Sequence, residues 1–593
     1  LGFDVGSTNV PTPATGVPLT FGPTFTYGAT GRGVVSLTAF TFDKYGLMTA
    51  ANVAHRYKGR TWEIDSGLNV SKSRSWYRDT GNGHFFDVQA SLPSVSRVLY
   101  DGIKESFGYK IAALNAAGNA IDYGKLSSYT LTGATTGPRD GADTFKAGRI
   151  NVKRRLDILP FEASFKVGGM VQQQDRDTNR QDSRLTFVGP DGIPNTADDN
   201  AGLYLDPKSV NEPTKFNFGI PSLEYPDLYR LWQVFQSHPE YFQRTTAQAV
   251  SAETSRINNS FSLTEKITAA YIQAEARLWR NRLRILTGVR YEKTEDNGVG
   301  PLFDPNGVFQ RGANGKLLTT SSGAPIRKPE AGAVGSLAEL ALIRKGRAAT
   351  TDRSYDGYYP SLHLTFNVTE NFLLRAAYAE TFGRPNLGNI LPNTTINENA
   401  NPTAGAPPGT ITVVNGGLLP YTAKNYDLSL EYYFPKGGLI SVGGFRKDLV
   451  NFFGALNTLA TPALLAELGL DPTYVDWTLR STINVSDPAR VTGVEFNYNQ
   501  PLTFLSNWGK YFNFTANVTQ LHLQGPRATD FNGFIPKTGN LGLTFSKKPV
   551  VLMLKWNYRG RQRQSSSGAA PNAFQYLDSW AKVDINAEYQ ITK

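Results

Sequence analysis

The sequence predicts an all-β protein, a transmembrane antiparallel up-and-down β-barrel, and three observations carry that prediction. Apolar and polar residues alternate with period two over many segments of about ten residues. The connections between those segments are of two kinds, short and long, in strict succession. No run of about 20 apolar residues occurs in the 593, which excludes a transmembrane helix but not a barrel, whose strands need only every second residue apolar.

The alternation is clearest in YIQAEARLWRNRLRILTGVRYE, positions 271–292. Ile272, Ala274, Ala276 and Leu278 share one side, and Gln273, Glu275 and Arg277 the other. After Trp279-Arg280-Asn281 the pattern resumes, with Leu283, Ile285, Val289 and Tyr291 opposed to Arg282, Arg284, Arg290 and Glu292. Successive side chains of a pleated strand point to opposite faces, so this reads as a hairpin with one oily and one charged face. Phe161–Val167, Tyr426–Phe434, Phe512–Thr519, Val550–Arg559 and Lys582–Tyr589 repeat the pattern. The count is about 17 strands over 34–591. On the barrel reading Ile272, Ala274, Leu278 and Leu554 face lipid, while Glu275, Arg277, Arg282, Arg284, Arg290, Glu292, Lys555 and Arg559 are lumenal.

Short connections sit near Leu159-Pro160, Trp279–Asn281, Thr369–Asn371, Pro435–Gly438 and Lys547–Pro549. Long ones cover about 173–262, 293–352, 384–423, 453–488, 524–535 and 564–576. Short turns at one end and long loops at the other are the order of an up-and-down barrel. A soluble sandwich would also alternate, but would rarely carry loops so long. Tyr291, Phe366, Phe434 and Tyr558 lie near strand ends, where an interfacial aromatic girdle belongs. An edge exposed to lipid would leave backbone groups unpaired, so the sheet is expected to close.

Composition narrows the function. The absence of cysteine excludes a disulfide scaffold and thiol metal sites, and suits export through an oxidising compartment. The net charge of +11 is spread over strands and not gathered in one stripe, which fits a solvated surface or lumen better than nucleic-acid binding. No Walker loop, His-Glu-x-x-His or cysteine nucleophile appears, and the five histidines are scattered, so no enzyme is expected. The first residues, Leu1-Gly2-Phe3-Asp4, contain neither an initiator Met nor a signal peptide, and processing or truncation is expected to have removed what preceded them.

Several stretches resemble the barrel domain of TonB-dependent outer-membrane receptors. YPSLHLTFNVTENFLLRAAYAETFGRPNL (359–387) resembles that family's paired strands ending in an Arg-Pro-Asn element. NGGLLPYTAKNYDLSLEYYFPKGGLISVGGFRKDLVNFF (415–453) resembles its GNP-x-L-x-P-E hairpin, with Tyr421-Thr422 where Pro-Glu is usual, and ARVTGVEFNYNQPL (489–502) resembles the strand that follows. The resemblance covers about the C-terminal half, and residues 1–260 fit by pattern only. It implies a 22-stranded barrel with short periplasmic turns and long extracellular loops in the outer membrane of a Gram-negative bacterium, filled by an N-terminal plug. No plug and no final two strands are recognisable, so 1–593 is expected to be a barrel domain trimmed at both ends. The implied activity is energised import of a scarce substrate (a siderophore, cobalamin or an oligosaccharide), with the TonB–ExbB–ExbD complex acting through the plug. Two rivals stand beside it: a plug-free passive porin whose arginines favour anions, and a soluble carbohydrate-binding β-protein.

No cofactor is expected, with one exception. GPDGIPNTADDN (189–200) gathers Asp191, Asn195, Asp198 and Asp199 in one loop, the oxygen-rich chemistry that a structural Ca²⁺ takes, although Asp-Gly also simply makes turns. PDLYRLWQVFQ (226–236) places Leu228, Leu231, Trp232 and Phe235 on one helical face, and PALLAELGL (462–470) is apolar at similar spacing. Both are expected to pack as loop helices over the barrel mouth. Substrate contacts are expected in the loops 173–262, 293–352, 384–423 and 453–488, without individual residues being assigned.

Overall fold

A computed structural model of the chain describes residues 1–591 apart from 7–9, 13–14, 104–109, 214–220, 314–317, 323, 387, 389–390, 392, 399–406, 408, 416–417, 468–469, 471, 506, 526–530, 532 and 567–573. Fifteen strands form one sheet in which each strand pairs with its neighbours in the wall's own order: β1 (Lys44–Lys58), β2 (Trp62–Tyr77), β3 (Arg139–Arg155), β4 (Glu162–Arg180), β5 (Phe261–Leu278), β6 (Leu283–Phe303), β7 (Arg344–Asn367), β8 (Phe372–Gly383), β9 (Tyr421–Tyr433), β10 (Leu439–Val450), β11 (Ala489–Pro501), β12 (Phe512–Gln524), β13 (Lys537–Lys547), β14 (Val550–Arg559) and β15 (Trp580–Tyr589). Every pairing in this wall is antiparallel.

Register joins the alternating faces into one. Ile272 stands opposite Val167 and Val289, and Val289 opposite Pro360. Leu362 meets Tyr378, which meets Tyr426. Val518 meets Phe496, Leu541 meets Ala516 and Trp556, and Trp556 meets Val583. A slip of one residue in any pair would turn that strand's apolar set to the other face, so the continuity is specified strand by strand. These side chains remain uncovered: Ile272 is 45% exposed, Leu554 46% and Ile585 76%. An apolar face this broad and this bare is the surface of a protein solvated by lipid.

Aromatic residues bound that face at both heights. Near the short turns, Trp279 packs on Phe366, Tyr432 on Phe434 and Phe512 on Phe545, with ring centroids 6.0, 5.1 and 5.1 Å apart. Toward the long loops, Tyr45 stacks on Trp76, Tyr291 lies against Tyr358 and Tyr378 against Tyr426. The turns themselves are tight. Trp279, Arg280 and Asn281 all take left-handed φ, and Gly437 and Gly438 (φ 85° and 106°) occupy conformations that a side chain would strain.

Two expectations need correction. Among the described residues the wall has 15 strands, not about 17, because Val34–Phe40 and the other short strands before β5 pair in other sheets. Positions 293–352 are also strand at both ends, since β6 runs to Phe303 and β7 begins at Arg344. Lys293 pairs with Asp356 and Asn297 with Asp352 above Tyr291 and Tyr358. Beyond the girdle both faces meet water, so backbone pairing continues after the apolar alternation has stopped.

The short strands build a second layer at the long-loop end. Gly2–Asp4, Val34–Phe40, Asp87–Ser91, Thr130–Thr136, Ser183–Phe187 and Phe242–Gln243 form one six-stranded sheet. Against it pack helices α1 (Leu228–Ser237) and α2 (Thr246–Asn258) and several 3₁₀ turns. Phe85, Leu126, Tyr129, Leu131, Phe187 and Leu231 are at most 2% exposed. This is an ordinary hydrophobic core, and the part of it within 173–262 comes from a stretch expected to be a long connection. In α1, Leu228 and Leu231 are buried, and Trp232 and Phe235 pack on Phe85 at 5.2 and 5.8 Å, so the expected helical face is consumed by packing. Pro462–Glu467 is helical, while 468–469 lie outside the described residues.

Candidate functional site

The inner face of the wall, the charged row opposite the lipid face, is where the sequence placed most candidate residues. Near the short turns, Arg284 Nε donates to Glu275 Oε1 at 2.7 Å, and Arg277 lies 3.4 Å from Glu162 and 3.7 Å from Glu275. Arg155 pairs with Glu63 at 2.5 Å, and Tyr271 Oη donates to Asn151, which donates to Asp65. Between these pairs stand Arg56, Lys58, Arg149, Lys153 and Lys166, none of which has an ion-pair partner within 4.0 Å among the described residues. Lys166 sits over the Tyr271 ring. This sector of the lumen is therefore basic. Across β11–β13 the inner face is amide-rich, with Asn513 donating to Asn499 and Asn540 to Asn517.

Higher in the lumen the charges are buried. Glu292 is 6% exposed and accepts from Arg290 at 2.5 Å and from Arg384. Asp296, fully buried, accepts from Arg353 Nε at 3.0 Å, and Arg353 also donates to the Leu418 carbonyl. Arg384 reaches Thr294 Oγ1 as well. This knot ties the segments after β8 and before β9 to the inside of β6 and β7. It contains Arg384 of the Arg-Pro-Asn element, but Asp296, Arg353 and Thr294 were not anticipated. Their partners come from strands far apart in sequence, and only the Arg384 motif could have flagged the place.

Of the other sequence-placed residues, Arg282 belongs to a turn and not to the lumenal row. Its guanidinium donates to the Asn367 carbonyl at 3.0 Å and to that of Val368, and lies over Phe366. Lys555 faces inward opposite Gly542 and Asp584. Arg559 donates to Gln562 at 3.1 Å at the loop end of β14.

In the loop layer, a cavity of about 730 Å³ is lined by Phe3, Leu37, Tyr100, Tyr225, Tyr229 and Asp206 among others. An apolar, aromatic recess of this size suits a small ligand. Nearby, buried His84 joins the layer to the approach of β1: Nε2 lies 2.8 Å from Asp43 Oδ2, and Nδ1 lies 2.7 Å from the Phe85 carbonyl. Hydrogen bonds from Asn82 and from His84 hold the Asp43 carboxyl below its usual value. In the 189–200 loop, Asp191 Oδ1 accepts from Ile193 N at 2.8 Å, and Asp198 Oδ2 from Asp191 N at 3.1 Å. Asp199 Oδ2 accepts from Thr196 N at 3.0 Å. Asn195 takes a left-handed φ of 66°. Burial raises the Asp199 carboxyl, while the Thr196 hydroxyl holds that of Asp198 down. Among the described residues no group of three or more His, Asp or Glu is arranged to hold a metal ion.

A wall of antiparallel strands that is apolar outside and charged inside, with tight turns at one end and a folded layer at the other, defines an outer-membrane-type β-barrel protein. Residues 99–593 match the family model for the TonB dependent receptor-like β-barrel, and the chain belongs to that family. No match is found among curated protein sequences. Among solved structures, the chain is similar to the siderophore receptor PirA of Pseudomonas aeruginosa (13% identity, TM-score 0.39), covering 98% of this chain and 70% of that one. It is also similar to the copper transporter OprC (11%, 0.41; 97% and 71%) and to the alcaligin outer-membrane receptor FauA of Bordetella pertussis (11%, 0.40; 96% and 63%).

Proposed function

We propose that the protein is an outer-membrane receptor of a Gram-negative bacterium that captures a scarce substrate (a siderophore, cobalamin or an oligosaccharide) at the long-loop end and imports it with energy delivered by TonB, ExbB and ExbD. The observation that carries this reading is family membership over 99–593, coupled to a wall whose loop end bears a folded layer with a ligand-sized recess. The substrate would meet the layer first and leave through the charged lumen; no catalytic chemistry is assigned. Coupling would follow strand addition of a terminal segment onto TonB.

A second reading, a passive porin, is favoured by the basic lumenal sector, which would filter for anions if it bordered open water. Uptake of labelled ferric siderophore, cobalamin and maltooligosaccharide, measured in cells with and without TonB, separates the two. Active transport requires that flux of one substrate vanish without TonB. Equal flux in both strains would replace the receptor reading with the porin.

A further inference from the structure

The loop 189–200 holds a feature that its own hydrogen bonds leave unexplained. Asp199 is fully buried, its Oδ2 caps the Thr196 amide, and its Oδ1 has no hydrogen-bond partner. A buried carboxylate oxygen without a partner is costly, and it normally marks an unseen water, proton or ion. Asp198 Oδ2, of a second carboxylate, approaches the same glycine as that oxygen. Both converge on the bare α-carbon of Gly189 (φ 59°), where an added β-carbon would lie 2.6 Å from Asp199 Oδ1 and 2.9 Å from Asp198 Oδ2. Asp191 adds a third carboxylate to the same turn, its amide bound to Asp198 Oδ2.

We infer that Asp198 and Asp199 form the carboxylate half of a Ca²⁺ site over Gly189. The remaining ligands would be backbone carbonyls and water, which a flexible oxygen-coordinated cation of this size accepts and Mg²⁺ does not readily. Asp191 Oδ1 is held by the Ile193 amide, which leaves two carboxylates for the ion and places the affinity at about 10⁻⁴–10⁻³ M, the range typical of extracellular modules. The ion would neutralise the buried charge of Asp199 and brace the loop between Ser183–Phe187 and α1. Gly189 is then required twice, for its backbone conformation and for the space its hydrogen leaves.

Tb³⁺ provides the test, because it replaces Ca²⁺ at oxygen sites and is sensitised by a nearby tyrosine; Asp199 and Asp198 both act electrostatically on Tyr204. The full chain in detergent, stripped with EDTA, is titrated with Tb³⁺ and then with Ca²⁺, and Ca²⁺ binding is measured directly by calorimetry. Expected are one saturable Ca²⁺ per chain, Tb³⁺ luminescence displaced by Ca²⁺, and at least a tenfold loss of affinity in Asp199→Asn and in Asp198→Asn. Tyr204→Phe should dim the luminescence while leaving calorimetric binding intact. No saturable binding by the unmutated chain overturns the proposal without reference to any variant. Binding that survives in both Asn variants places the ion elsewhere and overturns it equally. If Asp199→Asn instead raises thermal stability in the absence of Ca²⁺ and no ion binds, the orphan oxygen carries a proton.

Discussion

Leu362→Arg offers the sharpest check on which face of the wall meets lipid. Leu362 lies in β7, outward and 38% exposed, opposite Thr287 and Tyr378. On the same strand and face, Tyr358 and Phe366 belong to the upper and lower aromatic rings. Eight residues separate them, about 27 Å at about 3.4 Å per residue, or about 20 Å along the membrane normal for a tilt of about 40°. Leu362 is halfway, about 10 Å from either interface, where an arginine on the lipid face costs about 2–4 kcal/mol. That is a shift of about 30- to 700-fold in the folding equilibrium. Ser361, one residue away, faces the lumen, and Ser361→Arg should cost under about 1 kcal/mol because the charge stays hydrated. Both variants would be measured by urea titration of folding into lipid vesicles, followed by tryptophan fluorescence and gel mobility. Equal costs at the two positions, or the larger cost at Ser361, would refute the facing assignment and the barrel reading with it.

Other consequences follow from the layer and the lumen. Phe85→Ala removes the ring on which Trp232, Phe235 and Phe242 pack. It should destabilise the loop layer by about 3–5 kcal/mol. Hydrogen exchange would then accelerate at Val88 and Leu131 but not in β9–β14. Glu292→Ala leaves Arg384 and Arg290, whose side chains are 29% and 36% exposed, without their carboxylate partner. It should cost about 1–3 kcal/mol, part of which returns in the double variant with Arg384→Ala, a coupling that a double-mutant cycle reads directly. The Asp43 carboxyl is depressed in the folded state, so its contribution to stability is present above the unfolded carboxylate value near 4 and fades as pH falls through the lower folded value. An acid titration of loop-layer melting should therefore lose stability below about pH 4, and Asp43→Asn should flatten that dependence.

Hairpins, facing and lumenal charge were legible because they rest on a local rule: period two is written in each segment and owes nothing to the rest of the chain. Glu275 and Arg284 stand on the face of the sheet opposite Ile272 for that reason. Arg282 did not, since parity says nothing about where a strand gives way to a turn. The upper parts of β6 and β7 were missed because water on both sides removes the alternation while the backbone ladder persists.

The sequence by itself determined the antiparallel wall, its lipid face and its family. The tertiary structure alone decided the loop layer, whose short strands give weak local signals and pair across wide separations: Ser36 meets Ser91, and Gly133 meets Thr186. It alone decided the buried knot, in which Arg384 crosses 92 residues to Glu292 and Arg353 crosses 57 to Asp296. Burial sets both, and burial is a property of the assembled chain: a carboxylate is costly or harmless according to what closes over it, which no segment encodes alone.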